Sequence, residues 1–194
     1  MDLLQLMRQS REILIPHWLL SVGTCSLYAL IIGIPAEQNT YGEMLSFLLA
    51  GPLQLGLCIY FLNIIHQQNP SIFNLLQGFK PLLQVLLAYL FITVMVVLGL
   101  LFFIVPGVIL SLGLSMTFYI IAERPEISFG DAIQESWNLT NGHKTELLVL
   151  HLRFLPWYVL GLLFFIVGVF VIVPWHYTSI ALYYDYLKKQ SRII

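Results

Sequence analysis

The sequence predicts an all-α polytopic membrane helix bundle: six transmembrane helices in three hairpins, with short cytoplasmic amphipathic helices between them. Three observations carry this. Of the 194 residues, 59% are hydrophobic and 10% charged, against about 45–50% and about 25% in soluble domains. The mean hydropathy is +0.85. The apolar residues also gather into four long uncharged runs, 13–36, 44–65, 81–122 and 154–184. So few charges do not cover a water-facing surface, which excludes a soluble enzyme, a disordered chain and a nucleic-acid binder. The net charge of −1 implies no polyanionic partner.

A helix needs about 20 residues to cross a ~30 Å hydrocarbon core. The third run holds 42 residues; as one straight helix it would measure about 63 Å at 1.5 Å per residue, so it must turn back. Val105-Pro106-Gly107-Val108 is the expected turn, because proline fixes φ at its first position and glycine tolerates a positive φ at the next. Val173-Pro174 is the comparable break in the fourth run. The expected spans are 13–35, 44–66, 82–105, 108–122, 147–173 and 175–187, the fourth and sixth being short. They form hairpins at about 13–66, 81–122 and 147–187 of a single membrane domain, 1–194. Four long, kinked, tilted helices are the rival architecture.

The nine Lys and Arg residues set the orientation. With six spans, Arg8, Arg11, Lys80, Arg124, Lys144, Arg153, Lys188, Lys189 and Arg192 all fall on the side of the termini, while the opposite side carries Glu37 and Glu43. The positive-inside rule places both termini in the cytoplasm. Erasing two turns keeps this bias, so charge fixes orientation better than helix count. The N-terminus has no short apolar region followed by a small-residue cleavage site. Residues 1–12, with Leu3, Leu4, Leu6 and Met7 among charges, read as a short interfacial helix.

Val97-Leu98-Gly99-Leu100-Leu101-Phe102-Phe103-Ile104-Val105 recurs letter for letter at 159–167. Gly78-Phe79-Lys80 precedes the first copy and Gly142-His143-Lys144 the second, and each copy runs toward a proline, Pro106 or Pro174. This indicates duplication. The loops also rhyme, Asn69-Pro70-Ser71-Ile72 with Arg124-Pro125-Glu126-Ile127, each starting an amphipathic helix. In the second, Ser128 is the expected N-cap with Asp131 at the third helical position. Phe129, Ile133 and Trp137 form its apolar stripe.

Helices in lipid associate through small residues. Such faces are Ser21-Cys25-Ala29-Gly33, Ser46-Ala50-Gln54-Cys58 and Gly107-Ser111-Ser115. The register turns Gln54 toward a packing seam. The two mid-span cysteines, Cys25 and Cys58, supply neither a disulfide framework nor a four-ligand metal site.

Motifs for catalysis, metal ligation and cofactor binding are absent: no His-Glu-x-x-His, paired membrane aspartates, Gly-x-Ser-x-Gly, Walker motif or dinucleotide fingerprint. No catalytic, metal or cofactor residue is assigned, and no cofactor is expected. The candidate functional or packing polar residues are Gln54, His151, Arg153 and Asp185. Arg153 sits near the cytoplasmic end of its expected span, where it can snorkel. Asp185 lies among Tyr183, Tyr184 and Tyr186 in what reads as an interfacial aromatic belt, with Trp175-His176-Tyr177 as the outer counterpart.

From Gly51 onward the chain resembles the family of bacterial membrane proteins known as domain of unknown function 975. The resemblance rests on Gly51-Pro52-Leu53-Gln54-Leu55-Gly56, Gly78-Phe79-Lys80, Val105-Pro106-Gly107-Val108, Pro125, Ala132-Ile133 and Ser136. Gly142-x-Lys144, Trp157, Pro174 and Tyr183-Tyr184 extend it. It is also distantly similar to the membrane domain attached to some glycerophosphodiester phosphodiesterases. The chain departs from the family at Arg153, where Ser is usual, and at Pro174-Trp175, where Pro-Tyr is usual. The resemblance implies a multi-helix fold and a bacterial inner-membrane location, and brings no assigned activity.

Function narrows to two classes. One is a non-catalytic assembly, regulatory or envelope-maintenance factor whose partners are the lipid bilayer and other membrane proteins or a second copy of itself. The other is a transporter, channel or lipid-handling protein, which the repeat favours. A broken mid-span helix lined by polar groups would favour the second, and a dry, closed bundle the first.

Overall fold

The computed structural model describes residues 2–37, 40–163 and 167–191. Every regular element among them is helical. The order is α1 (Leu3–Leu14), α2 (Trp18–Ala36), α3 (Thr40–Ile65), α4 (Asn74–Gln77) and α5 (Leu82–Phe102). There follow α6 (Ile104–Leu114), α7 (Thr117–Glu123), α8 (Phe129–Leu139), α9 (Lys144–Leu163) and α10 (Val167–Ser191). Five stretches are long and apolar enough to cross a membrane: Leu3–Pro35, Thr40–Ile65, Leu82–Phe102, Ile104–Glu123 and Lys144–Leu163.

The expected N-terminal amphipathic helix is α1. Asp2 caps it by accepting the Leu4 N–H at 3.0 Å. It buries Leu6, Met7, Ser10 and Leu14 and leaves Arg8 and Arg11 exposed. Its buried face lies on α10: Trp175 Nε1 donates to the Met7 carbonyl at 3.0 Å, and the Ser10 and Ser179 hydroxyls pair at 2.7 Å. A 3₁₀ turn over Ile15–His17, with Pro16 in it, separates α1 from α2.

The core lies along α3 and α10. On α3, the stripe Ser46-Ala50-Gln54-Cys58 faces inward, with Ser46 Oγ donating to the α2 carbonyl of Ile32 at 2.8 Å. The α2 stripe is only half a seam: Ser21 and Cys25 are buried, but Ala29 and Gly33 are exposed. Two sequence motifs meet at the middle of α3. A Cβ on Gly78 would lie 1.9 Å from the Pro52 carbonyl oxygen, and one on Gly56 would lie 2.5 Å from Leu75 Cα. The α4 segment therefore packs directly on the α3 backbone, and only glycine fits at both points.

The 81–122 run does turn back, but at Phe103 and not at Pro106-Gly107. Phe103 is extended (φ −162°, ψ 150°) between α5 and α6. Pro106 falls in the first turn of α6, where its missing N–H costs no intrahelical bond. Gly107 serves the crossing of the two helices, since a Cβ there would lie 2.8 Å from the Leu100 nitrogen.

The expected single span 108–122 is two helices broken at Ser115-Met116. The expected break at Pro174 is absent. Pro174 lies inside α10, α9 ends at Leu163, and residues 164–166 lie outside the described residues. In place of the spans expected at 147–173 and 175–187 stand the helices Lys144–Leu163 and Val167–Ser191. Trp175, His176 and Tyr177 consequently sit within α10 and turn inward, not at an outer rim.

The helix α8 begins as expected: Ser128 Oγ accepts the Asp131 N–H at 3.2 Å and donates to Asp131 Oδ2 at 2.7 Å. Its fully buried face is Ala132-Ser136-Thr140, one residue round from the expected Phe129-Ile133-Trp137 stripe, which is half-buried. The shift has a polar cause. Ser136 Oγ and Thr140 Oγ1 donate to the Gly113 carbonyl at 2.9 and 3.2 Å, and the Met116 N–H donates to Ser136 Oγ at 3.2 Å. Broken helices within membranes need their freed backbone groups met by neighbours, and α8 supplies this at the α6–α7 break. The rhyming first loop yields only the four-residue α4.

Candidate functional site: a polar-lined cavity between the helices

The α6–α7 break borders a cavity of about 750 Å³ walled by α2, α3, α5, α6, α7, α9 and α10. Ligand pockets span about 300–1,000 Å³. Its walls are mostly apolar and aromatic, and among the described residues no Asp, Glu, Lys or Arg lines it.

Neutral polar groups converge on it. Gln54 projects from α3 between α2 and α10. Its Oε1 accepts from the Tyr28 hydroxyl at 3.2 Å, and its amide pairs with Tyr177 Oη at 3.5 Å. Phe61 stacks on Tyr177 at 5.3 Å and fixes that ring. From α9, the Tyr158 hydroxyl and His176 Nδ1 of α10 lie 2.9 Å apart. His151 Nδ1 donates to the Leu147 carbonyl at 2.8 Å, and its ring meets the His176 ring edge-on at 5.0 Å. Ser111 and Ser115 line the wall at the break, but their hydroxyls are tied to the Val108 and Leu112 carbonyls at 2.9 and 2.7 Å.

Two of the lining residues each carry a buried side-chain atom without a hydrogen-bond partner among the described residues, Tyr119 Oη and His176 Nε2. Tyr119 stacks on Tyr184 at 5.4 Å and lies beside the Cys58 thiol, a weak acceptor. Leaving such a group unpaired costs about 1–3 kcal/mol. The arrangement is suited to holding a molecule by hydrogen bonds on an aromatic, uncharged wall.

Of the sequence candidates, Gln54 and His151 come together at this cavity, while Arg153 and Asp185 do not line it. Because α9 ends at Leu163, Arg153 lies at the middle of its helix and not near the end. It is half-buried, with Nη1 unpartnered among the described residues. Asp185 pairs with Lys189 Nζ at 2.7 Å and His66 Nε2 at 3.6 Å. The tyrosines around it are no lipid-facing belt: Tyr183 and Tyr184 are buried and donate to Glu146 at 2.7 Å and Glu123 at 2.9 Å. Lys188 also pairs with Glu123, and Arg124 with Glu135, whose hydrogen bond raises the arginine pKa. This charged collar closes one end of the bundle.

The sequence reading missed Tyr28, Tyr119, Tyr158, Tyr177 and His176. A signal existed, since a tyrosine hydroxyl inside an apolar run needs a polar partner. Several at similar depths mark a shared interior.

No curated protein and no solved structure matches the chain. A family model described as protein of unknown function (DUF975) matches residues 93–191, from within α5 through α10. The match starts later than the resemblance placed at Gly51, so it takes in Ser115, Tyr119, His151, Tyr158, His176 and Tyr177 but not Tyr28 or Gln54. On that match, over half of its length, the chain belongs to the DUF975 family.

Proposed function

We propose that the chain is a non-catalytic protein of the bacterial inner membrane, crossing it six times with both termini in the cytoplasm. Its work is to bind and handle a membrane-soluble molecule in the cavity. The single observation that carries this is the uncharged cavity of about 750 Å³ with convergent tyrosine, glutamine and histidine groups. The broken α6–α7 segment supports it, because irregular backbone at membrane depth belongs where it lines a cavity. A role in envelope assembly through packing alone would need neither feature.

Six spans are supported by α10, whose 25 residues run beside α9, and by the alternation of α2 with α3, α5 with α6 and α9 with α10. The collar carries Arg124, Lys188 and Lys189, which favours that end as cytoplasmic. The exposed apolar residues Leu101, Phe102, Phe103 and Ile104 at one hairpin tip need lipid around them. The lipid bilayer is the first partner, and other membrane proteins or a second copy are further ones. A non-catalytic role is supported by Ser111 and Ser115, whose hydroxyls bond to their own helix and not to a base.

The test is native mass spectrometry of the full chain released from membranes in mild detergent. The wild type should retain a discrete small-molecule adduct, and Ser115→Trp, which projects an indole into the cavity, should lose it while keeping a cooperative melt. The same adducts on both proteins, or none on the wild type, would contradict the reading.

A further inference from the structure

We propose that Arg153 binds the phosphate of an anionic phospholipid on the lipid-facing side of α9, beside Trp157. This site is separate from the cavity, which Arg153 does not line. It rests on α9 crossing the membrane. An arginine keeps its charge at every physiological pH, and a charge within a span calls for a partner. Among the described residues no hydrogen bond or ion pair reaches the Arg153 guanidinium. Its Nη1 is enclosed by protein, but the side chain as a whole is partly exposed, so Nε and Nη2 are the atoms that an outside anion can reach. Glu146, about two turns back on the same face, is already engaged: it accepts from the Tyr183 hydroxyl at 2.7 Å and lies 3.5 Å from His143 Nδ1.

The surroundings select a lipid as the source of the anion. Leu152, Leu155 and Trp157 are exposed along the same stretch of α9, so the anion arrives with acyl chains. Helical side chains lean toward the N-terminus of their helix, here the end that carries Lys144. Arg153 lies about 13 Å along the axis from Lys144, and its guanidinium reaches back toward the headgroups as a snorkelling arginine does. Trp157, one turn on, meets the Trp175 ring at 5.5 Å; indoles favour that same headgroup level. Trp175 in turn donates to the Met7 carbonyl. That bond ties α1 to the indole pair, and α1 carries the exposed Arg8 and Arg11. A guanidinium offers phosphate two parallel N–H donors, whereas phosphatidylcholine brings its own countercharge.

The experiment measures quenching of Trp157 by brominated lipids, with the full chain in phosphatidylcholine vesicles holding a minority of phosphatidylglycerol. One lipid or the other is brominated on its acyl chains, and the Trp157 signal is the difference between each protein and its Trp157→Phe form. Phosphatidylglycerol should quench as if enriched about fivefold over its bulk share, the preference that one cation near anionic headgroups supplies. Arg153→Gln and Arg153→Leu should each return the quenching to the bulk share while keeping a cooperative melt.

No enrichment in the wild type, or enrichment that persists in both variants, would overturn the site. Quenching of Trp157 by neither lipid would instead take α9 out of the bilayer, and the spanning reading would fall with it.

Discussion

Gly161 meets Gly168 backbone to backbone: a Cβ on Gly161 would lie 2.9 Å from the Gly168 carbonyl carbon, and one on Gly168 would lie 2.6 Å from Gly161 Cα. The same contact occurs once more, where a Cβ on Gly99 would lie 2.9 Å from Gly107 Cα. Gly99 and Gly161 are equivalent positions of the nine-residue repeat, so the repeat encodes two close helix crossings. Gly168→Ala should lower stability by about 1–3 kcal/mol, the usual cost of overpacking, since only backbone surrounds it. Gly23→Ala and Gly33→Ala meet nothing within 4 Å and should be neutral or stabilising by up to about 1 kcal/mol. Thermal melts in detergent check both.

The surface helix α8 holds the α6–α7 break together. Ser136→Ala removes the hydroxyl that joins the Gly113 carbonyl to the Met116 N–H and should cost about 1–3 kcal/mol. Hydrogen exchange should rise over 113–117, with α9 unchanged. A uniform rise across the bundle would mean that the hydroxyl supports the whole fold and not the break.

Gln54→Leu separates structure from function. Interhelical hydrogen bonds in membranes average about 0.6 kcal/mol, so the melting point should shift little. Adduct retention should fall markedly, because the substitution frees Tyr28 and Tyr177 and removes the amide from the wall. A large loss of stability with adduct retention unchanged would make Gln54 packing glue only.

Reporter fusions after Phe103 should read external, and those after Gln77 and Gly142 cytoplasmic. A fusion after Trp175 should now report a position within a span, whereas a turn at Pro174 would have made it fully external. A cytoplasmic readout at Phe103 would exclude the six-span arrangement.

The helical class, the turn inside 81–122, the N-cap at Ser128 and the inward Gln54 were legible because each follows from local pattern or a length limit. The errors share a cause. In sequence proline signals a turn at Pro106 and Pro174, but it also suits the first turn of a helix and is tolerated inside a membrane helix. The register of α8 was set by hydroxyls reaching the Gly113 carbonyl, which apolar periodicity does not register. The cavity was hidden because its groups, Tyr28, Gln54, Tyr119, His151 and His176, come from five helices and share no spacing.

The central claim is that the cavity holds a particular membrane-soluble molecule, and photo-crosslinking in intact membranes tests it most directly. A benzophenone amino acid replacing Ala29, which lines the cavity from an exposed position, should capture one discrete species. The same group at Leu101, on the exposed hairpin tip, should capture bulk phospholipid. Capture of the same bulk phospholipid at both positions, or of neighbouring helices alone at Ala29, would contradict the account.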